Sequence, residues 1–228
     1  MGKLQVDPRW PKLLSLAVHE FRTPITVVAG YLRMVLKERA GPISDQQRKL
    51  LEEAEKSCGR LSGLVGEMSD LSALESGKAT FNRAPIDLGV LLREEFTALP
   101  ELPDRSVLVV VEGADGPIHM TGDATRLRLA FTSLITALRR EVVTSDRLIT
   151  RVRSGNSGSL YVIAIGDAEC IDTVAQADVS SLEPFDEWRG GSGLSLAIAR
   201  RVFDQHGGSL FGAPGGGKAG AILLLPRL

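Results

Sequence analysis

Apolar side chains in the first 76 residues recur at helical spacing. Leu14, Val18, Phe21, Ile25, Val28, Leu32 and Val35 follow one another at intervals of 4, 3, 4, 3, 4 and 3. That rhythm is the narrow stripe of a coiled coil or four-helix bundle. It stops at "AGPIS", where Gly41 and Pro42 break the helix and Ser44 is placed to cap the next one. The second helix repeats the rhythm with Leu51, Ala54, Cys58, Leu61, Val65 and Met68, and "ESGK" ends it with Gly77 as C-cap. Two long helices and a short turn predict an antiparallel hairpin. One hairpin cannot bury both faces of such a stripe, so the pattern predicts a homodimeric four-helix bundle.

After residue 78 the pattern changes. "ATFNRAPIDLGVLLREEF" reads as a short strand, a turn and a helix; "SVLVVVEG" and "IHMTGD" read as strands. "DATRLRLAFTSLITALRREV" is a long helix, "DRLITRVRSGNSGSLYVIAIGD" a hairpin, "GLSLAIARRVFDQHGG" another helix, and two strands close the chain. Irregular alternation of strands and helices predicts an α+β sandwich with a mixed sheet. The expected domains are 1–80, an all-α hairpin, and 81–228, the sandwich.

Composition narrows the function classes. The 228 residues carry 27 basic and 28 acidic side chains, a net charge of -1, which argues against a nucleic-acid binder that works by bulk charge. No apolar run reaches the roughly 18 residues of a membrane span. "MGKLQVDPRW" lacks the apolar core of a signal peptide. Cys58 and Cys170 have neither metal-ligand spacing nor a disulfide framework, and are expected to be reduced thiols in a cytoplasmic protein. No residue is assigned as a metal ligand.

The candidate chemistry sits in "HEFRTP", residues 19–24. His19 lies about 100° around the helix from Val18, off the apolar stripe and toward solvent. Glu20 is placed to accept the ring N–H and leave the other nitrogen nucleophilic. Pro24 has no N–H and crowds the carbonyl of Glu20, an expense in the middle of a helix that calls for a local reason.

These residues, followed by the heptad helices through residue 80, resemble the dimerisation and phosphoacceptor domain of sensor histidine kinases. The remainder resembles the ATP-binding domain of the same family. The resemblance implies that His19 is the phosphoacceptor, that Glu20 assists proton transfer, and that Thr23 positions water in the family's phosphatase reaction. It implies a response-regulator receiver domain as partner, and ATP with Mg²⁺ as cofactors where the nucleotide site works.

The second domain departs from the family pattern in three places. The two asparagines expected on the metal-binding helix fall on Ser133 and Ala137, while the basic residue that follows them is retained as Arg140. The aspartate expected to read adenine falls on Gly166 when "GDAECI" is aligned on Ile171; Asp167 sits one residue away. The lid between "LEPF" and "GGSGLSLA" is very short, and Ser195 stands where glycine is usual. Asp167, Gly191 and Gly193 remain as candidate nucleotide contacts, the glycines because they open a helix whose N-terminus suits phosphate. His206 in "HGG" reads as structural. Losing a metal ligand and an adenine acceptor together would lower nucleotide affinity by roughly two to four decades.

Three readings follow. The first is a two-component protein with impaired ATP binding, acting through His19 as phosphotransferase or phosphatase toward a response regulator. The second is an active, divergent ATP-dependent histidine kinase. The third is a non-enzymatic pseudokinase scaffold.

Overall fold

The computed structural model describes residues 9–114, 116–142, 145–155, 158–188, 193–216 and 219–227. The chain divides into two compact units, Met1–Ala79 and Thr80–Leu228.

The first unit is a helical hairpin of α1 (Trp10–Leu36) and α2 (Asp45–Glu75). Its turn is fixed from both sides. Ser44 caps α2 through a capping box, its hydroxyl accepting from the Gln47 N–H at 3.2 Å while the Gln47 side chain accepts from the Ser44 N–H at 2.8 Å. Arg48 reaches back to donate to the Leu36 carbonyl at 3.1 Å and pairs with Glu38. At the far end Gly77 takes a left-handed φ of 68°, which turns the Lys78 and Ala79 N–H groups onto the Ala73 carbonyl.

The heptad stripe divides in a way the spacing alone did not foretell. Leu14, Val18, Cys58 and Val65 are buried within the single hairpin. Phe21, Val28 and Leu61, placed by the same rhythm, are exposed, as are Tyr31 and Leu64. A 3.5-residue repeat marks a stripe wide enough for two neighbours, and one antiparallel partner covers only one flank of it.

The second unit begins with a two-stranded ribbon, β1 (Ala84–Asp87) antiparallel to β3 (His119–Gly122). A five-stranded mixed sheet follows, in the order β2-β4-β5-β7-β6: β2 (Leu108–Glu112), β4 (Arg147–Ser154), β5 (Leu160–Asp167), β7 (Gly220–Pro226) and β6 (Ser209–Gly212). The β2 and β4 strands are parallel and the other pairs antiparallel. The helices are α3 (Leu88–Thr97), α4 (Ala124–Glu141), α5 (Ile171–Gln176) and α6 (Ser195–Gln205). This is the expected α+β sandwich with a mixed sheet; the short α5 was not foreseen.

Alternation along β5 assigns its two faces. Val162 and Ala164 pack with Ile171, Val174 and Ala175 of α5. Tyr161, Ile163, Ile165 and Asp167 therefore point to the opposite face, where Leu148, Leu223 and Leu225 are also fully buried beneath the remaining helices. There α4 and α6 meet edge-to-face through Phe131 and Phe203, 5.0 Å between ring centres. Two aspartates start helices in this layer. Asp87 caps α3 and Asp123 caps α4 through backbone N–H groups.

Candidate functional site

His19 stands on the outer face of α1, with 81% of its side chain exposed. Its Nδ1 lies 3.3 Å from a Glu20 carboxylate oxygen, so the ring donates from Nδ1 and keeps the Nε2 lone pair turned to solvent. Thr23 is exposed one turn further on, about 40° around the helix from His19. The sequence thus brings His19, Glu20 and Thr23 to one open patch. Pro24 lies inside α1, which continues unbroken from Trp10 to Leu36. The missing N–H at Pro24 leaves the Glu20 carbonyl without its donor from the next turn. Two residues on, the Thr26 hydroxyl donates to the Arg22 carbonyl at 2.8 Å.

In the second unit the metal-binding positions do not suit Mg²⁺, which asks for oxygen ligands in near-octahedral array. Ala137 is a buried methyl group. The Ser133 hydroxyl is turned back onto the Leu129 carbonyl of its own helix, at 2.9 Å. Arg140 is exposed at the end of α4. Among the described residues no cluster of three or more His, Cys, Asp or Glu side chains is arranged to hold a metal ion.

The adenine position comes out differently from its sequence alignment. Gly166 faces the α5 side, where an added Cβ would meet the Cys170 sulfur at 3.2 Å and the Ile171 Cα at 3.3 Å. Asp167, the last residue of β5, is buried and points to the face that carries α4. One of its carboxylate oxygens accepts from the Glu169 N–H at 2.8 Å. The one-residue offset thus puts an acid, not a glycine, on the face of the sheet that carries α4. Cys170 beside it is half-buried, and burial pushes its thiol above the ordinary range.

Gly193, with φ of 60°, immediately precedes the first turn of α6. Gly191 lies outside the described residues. Phe185 and Glu187, ahead of it, are anchored. Phe185 is fully buried, and the Arg200 guanidinium donates both to the Phe185 carbonyl at 3.1 Å and to the Glu187 carboxylate at 2.6 Å. Arg201 approaches the same carboxylate at 3.7 Å. Sequence reasoning passed over Glu187; the signal was an acid just after "LEPF", facing the Arg200-Arg201 pair one helix away.

His206 is built into the fold. Its Nδ1 donates to the Val202 carbonyl at 2.7 Å and its Nε2 accepts from the Asp123 N–H at 2.9 Å. Burial holds its pKa below the ordinary histidine value. Burial acts to raise the Asp123 pKa, but N–H bonds from Arg126 and Asn82 outweigh it and hold the carboxyl below the usual range.

Residues 12–77 match the family described as the His Kinase A (phospho-acceptor) domain. The sensor histidine kinase GacS of Pseudomonas protegens is 28% identical over 210 residues, 87% of this chain and 22% of that protein. The chain thus spans about a fifth of the length of this relative. Among solved structures, full-length ShkA in complex with AMPPNP superposes with a TM-score of 0.66 at 21% identity, covering 96% of this chain and 46% of that one. The Acinetobacter baumannii histidine kinase AdeS gives 0.57 at 18% identity, covering 92% and 98%. Both likenesses speak for the two-part fold.

Proposed function

Because this chain belongs to the sensor histidine kinase family, we propose that it is a two-component signalling protein whose reacting group is His19. The proposed reaction is phosphoryl exchange with an aspartate on the receiver domain of a response regulator. The Nε2 lone pair attacks phosphorus, the N–P bond forms, and the P–O bond to the aspartyl group breaks to release a carboxylate. Glu20 holds the Nδ1 proton and so fixes the tautomer that leaves Nε2 free. Thr23 is the positioning residue for water when the aspartyl phosphate is hydrolysed instead. The observation that carries this reading is the His19 ring itself, solvent-facing and oriented by its neighbour.

A homodimer belongs to the same proposal. The exposed residues Phe21, Val28, Tyr31, Leu61 and Leu64 form the flank of the hairpin that a second copy would cover. Nucleotide binding is proposed to be impaired, because Ala137 offers no ligand and the Ser133 hydroxyl donates to the Leu129 carbonyl of its own helix. The non-enzymatic scaffold reading gives no role to the oriented ring of His19.

The decisive test is phosphotransfer from a phosphorylated receiver domain to the wild-type chain and to His19→Ala. Label is expected on the wild type and absent from the variant. Transfer that persists in His19→Ala would sink the proposal, and normal signalling by that variant would favour the scaffold.

A second reading, a divergent ATP-dependent kinase, is favoured by one observation: Asp167 faces the side of the sheet that carries α4. Calorimetric titration with ATP and ADP, with and without Mg²⁺, separates the two. Micromolar, Mg²⁺-dependent binding would move the assignment to the kinase; no binding at millimolar nucleotide would remove it.

A further inference from the structure

A cleft of about 660 Å³ opens in the helical unit between the start of α1 and the end of α2. Lys12 and Ser15 line it from α1, and Ser69 and Lys78 from the end of α2 and just beyond. Its floor is closed by Ser72, whose hydroxyl donates to the Pro11 carbonyl at 2.9 Å. The one acid on its wall is Glu75. Neither lysine has an ion-pair partner, and the Ser15 and Ser69 hydroxyls have no hydrogen-bond partner, among the described residues. Two lysines and two serines thus line one space, and the only carboxylate among its lining residues, Glu75, has an interaction of its own.

The cleft also has a place relative to His19. Lys12, Ser15 and His19 lie within about 60° of one another around α1, and Ser15 is one turn, roughly 6 Å, before His19. The cleft thus opens on the same side of the hairpin as the histidine.

We propose that this cleft is a binding site for a small phosphorylated molecule, of nucleotide size or less. A phosphate oxyanion accepts several charge-assisted hydrogen bonds at once, which matches two lysines and two hydroxyls around one cavity. The volume falls within the range of small-molecule sites. The inference goes beyond the phosphotransfer reading and does not rest on it.

The test is calorimetric titration of the whole chain with sodium pyrophosphate at low ionic strength. Binding is expected, and should weaken as salt is raised because the lysines are exposed. Lys12→Gln and Lys78→Gln are each expected to weaken it by about tenfold, the scale of a hydrogen bond to a charged group. Ser15→Ala combined with Ser69→Ala should weaken it less, by about threefold. Absence of binding at millimolar pyrophosphate overturns the proposal, as does equal affinity in the double lysine variant. Sulfate binding as tightly as pyrophosphate overturns the phosphate assignment. ADP run in parallel separates the ligand sources. ADP affinity that falls in the lysine variant assigns the cleft to nucleotide phosphates; unchanged ADP affinity with lost pyrophosphate binding assigns it to non-nucleotide phosphates. The titration contains no phosphotransfer step, so its failure and that of His19→Ala are read separately.

Discussion

The two units of this chain solve the burial problem in opposite ways. In the sandwich, strands and helices enclose their own apolar groups: Phe131, Leu134, Leu148, Ile163, Phe203 and Leu223 have essentially no exposed surface. In the hairpin, the buried set is short, Leu14, Val18, Cys58, Val65, Leu71 and Leu74, while a longer series of large apolar side chains faces outward. A sandwich with two covered sheet faces can be stable as a single chain. A two-helix hairpin has little interior of its own, and in the proposed homodimer a second copy completes its burial. On that proposal, the unit with the oriented histidine is the one whose stability depends on concentration.

The largest effect that would break this contrast is on assembly. Tyr31→Glu combined with Leu61→Glu puts carboxylates into the flank assigned to a second copy. Each buried charge without a partner costs several kcal/mol, and twofold symmetry doubles the count. Sedimentation should find a monomer with reduced helicity, while the melting of the sandwich stays put. A dimer that survives both substitutions would end the idea that this flank is the interface.

Phe131→Ala is the reciprocal probe. It removes a fully buried ring set edge-to-face against Phe203 and is expected to cost about 3–5 kcal/mol. Denaturant unfolding should lose most of the sandwich transition and leave hairpin dimerisation unchanged. Equal damage to both would mean the units fold as one.

Acid sharpens the comparison further. His206 is held neutral, with a folded pKa below the ordinary 6.5, because burial disfavours its charge. The unfolded chain therefore binds the proton first, and the stability of the sandwich should fall as pH drops below about 6.5. The Asp123 and Asp87 carboxyls are also lowered, so their contribution is lost only in more acidic solution, below about pH 4. Urea midpoints measured from pH 8 to 4 should decline in the sandwich. A midpoint independent of pH over this range would contradict the buried His206 arrangement.

The smallest effect is Ser44→Ala, which removes the hydroxyl half of the capping box. About 1 kcal/mol should be lost from the hairpin alone. Both copies lose the cap, so a dimer dissociation constant that rises by roughly thirtyfold would register it.

Much of this organisation was legible in the sequence, for reasons that differ between the units. The hairpin was readable because heptad spacing, Gly41-Pro42 and the Ser44 cap all act locally. Which flank of the stripe meets the other helix was not readable, since Phe21 and Val18 obey the same rhythm and only the packing of α2 separates them. The sandwich strands were readable from their apolar runs. The α5 helix was missed because "IDTVAQ" is under two turns long and is held by the cluster beneath it more than by its own pattern. The patch of His19, Glu20 and Thr23 is adjacent in sequence and one turn apart in space, so a linear motif sufficed. Asp167 was harder: its side depends on the register of β5, and side chains along a strand change face with every residue.

The gap in the hydrogen-bond ladder at Pro24 also has a mechanical meaning. A helix passes torsion along its axis through successive N–H to carbonyl rungs, and one rung is absent between Glu20 and Pro24. The turn that contains it has one rung fewer to resist twist than a regular turn. Twist entering from the Trp10 end would be absorbed there, beside the imidazole, before it reached the Ala29–Leu36 half. Such a twist would change the orientation of His19 and Glu20 against Thr23 while the capped turn at Ser44 stayed still.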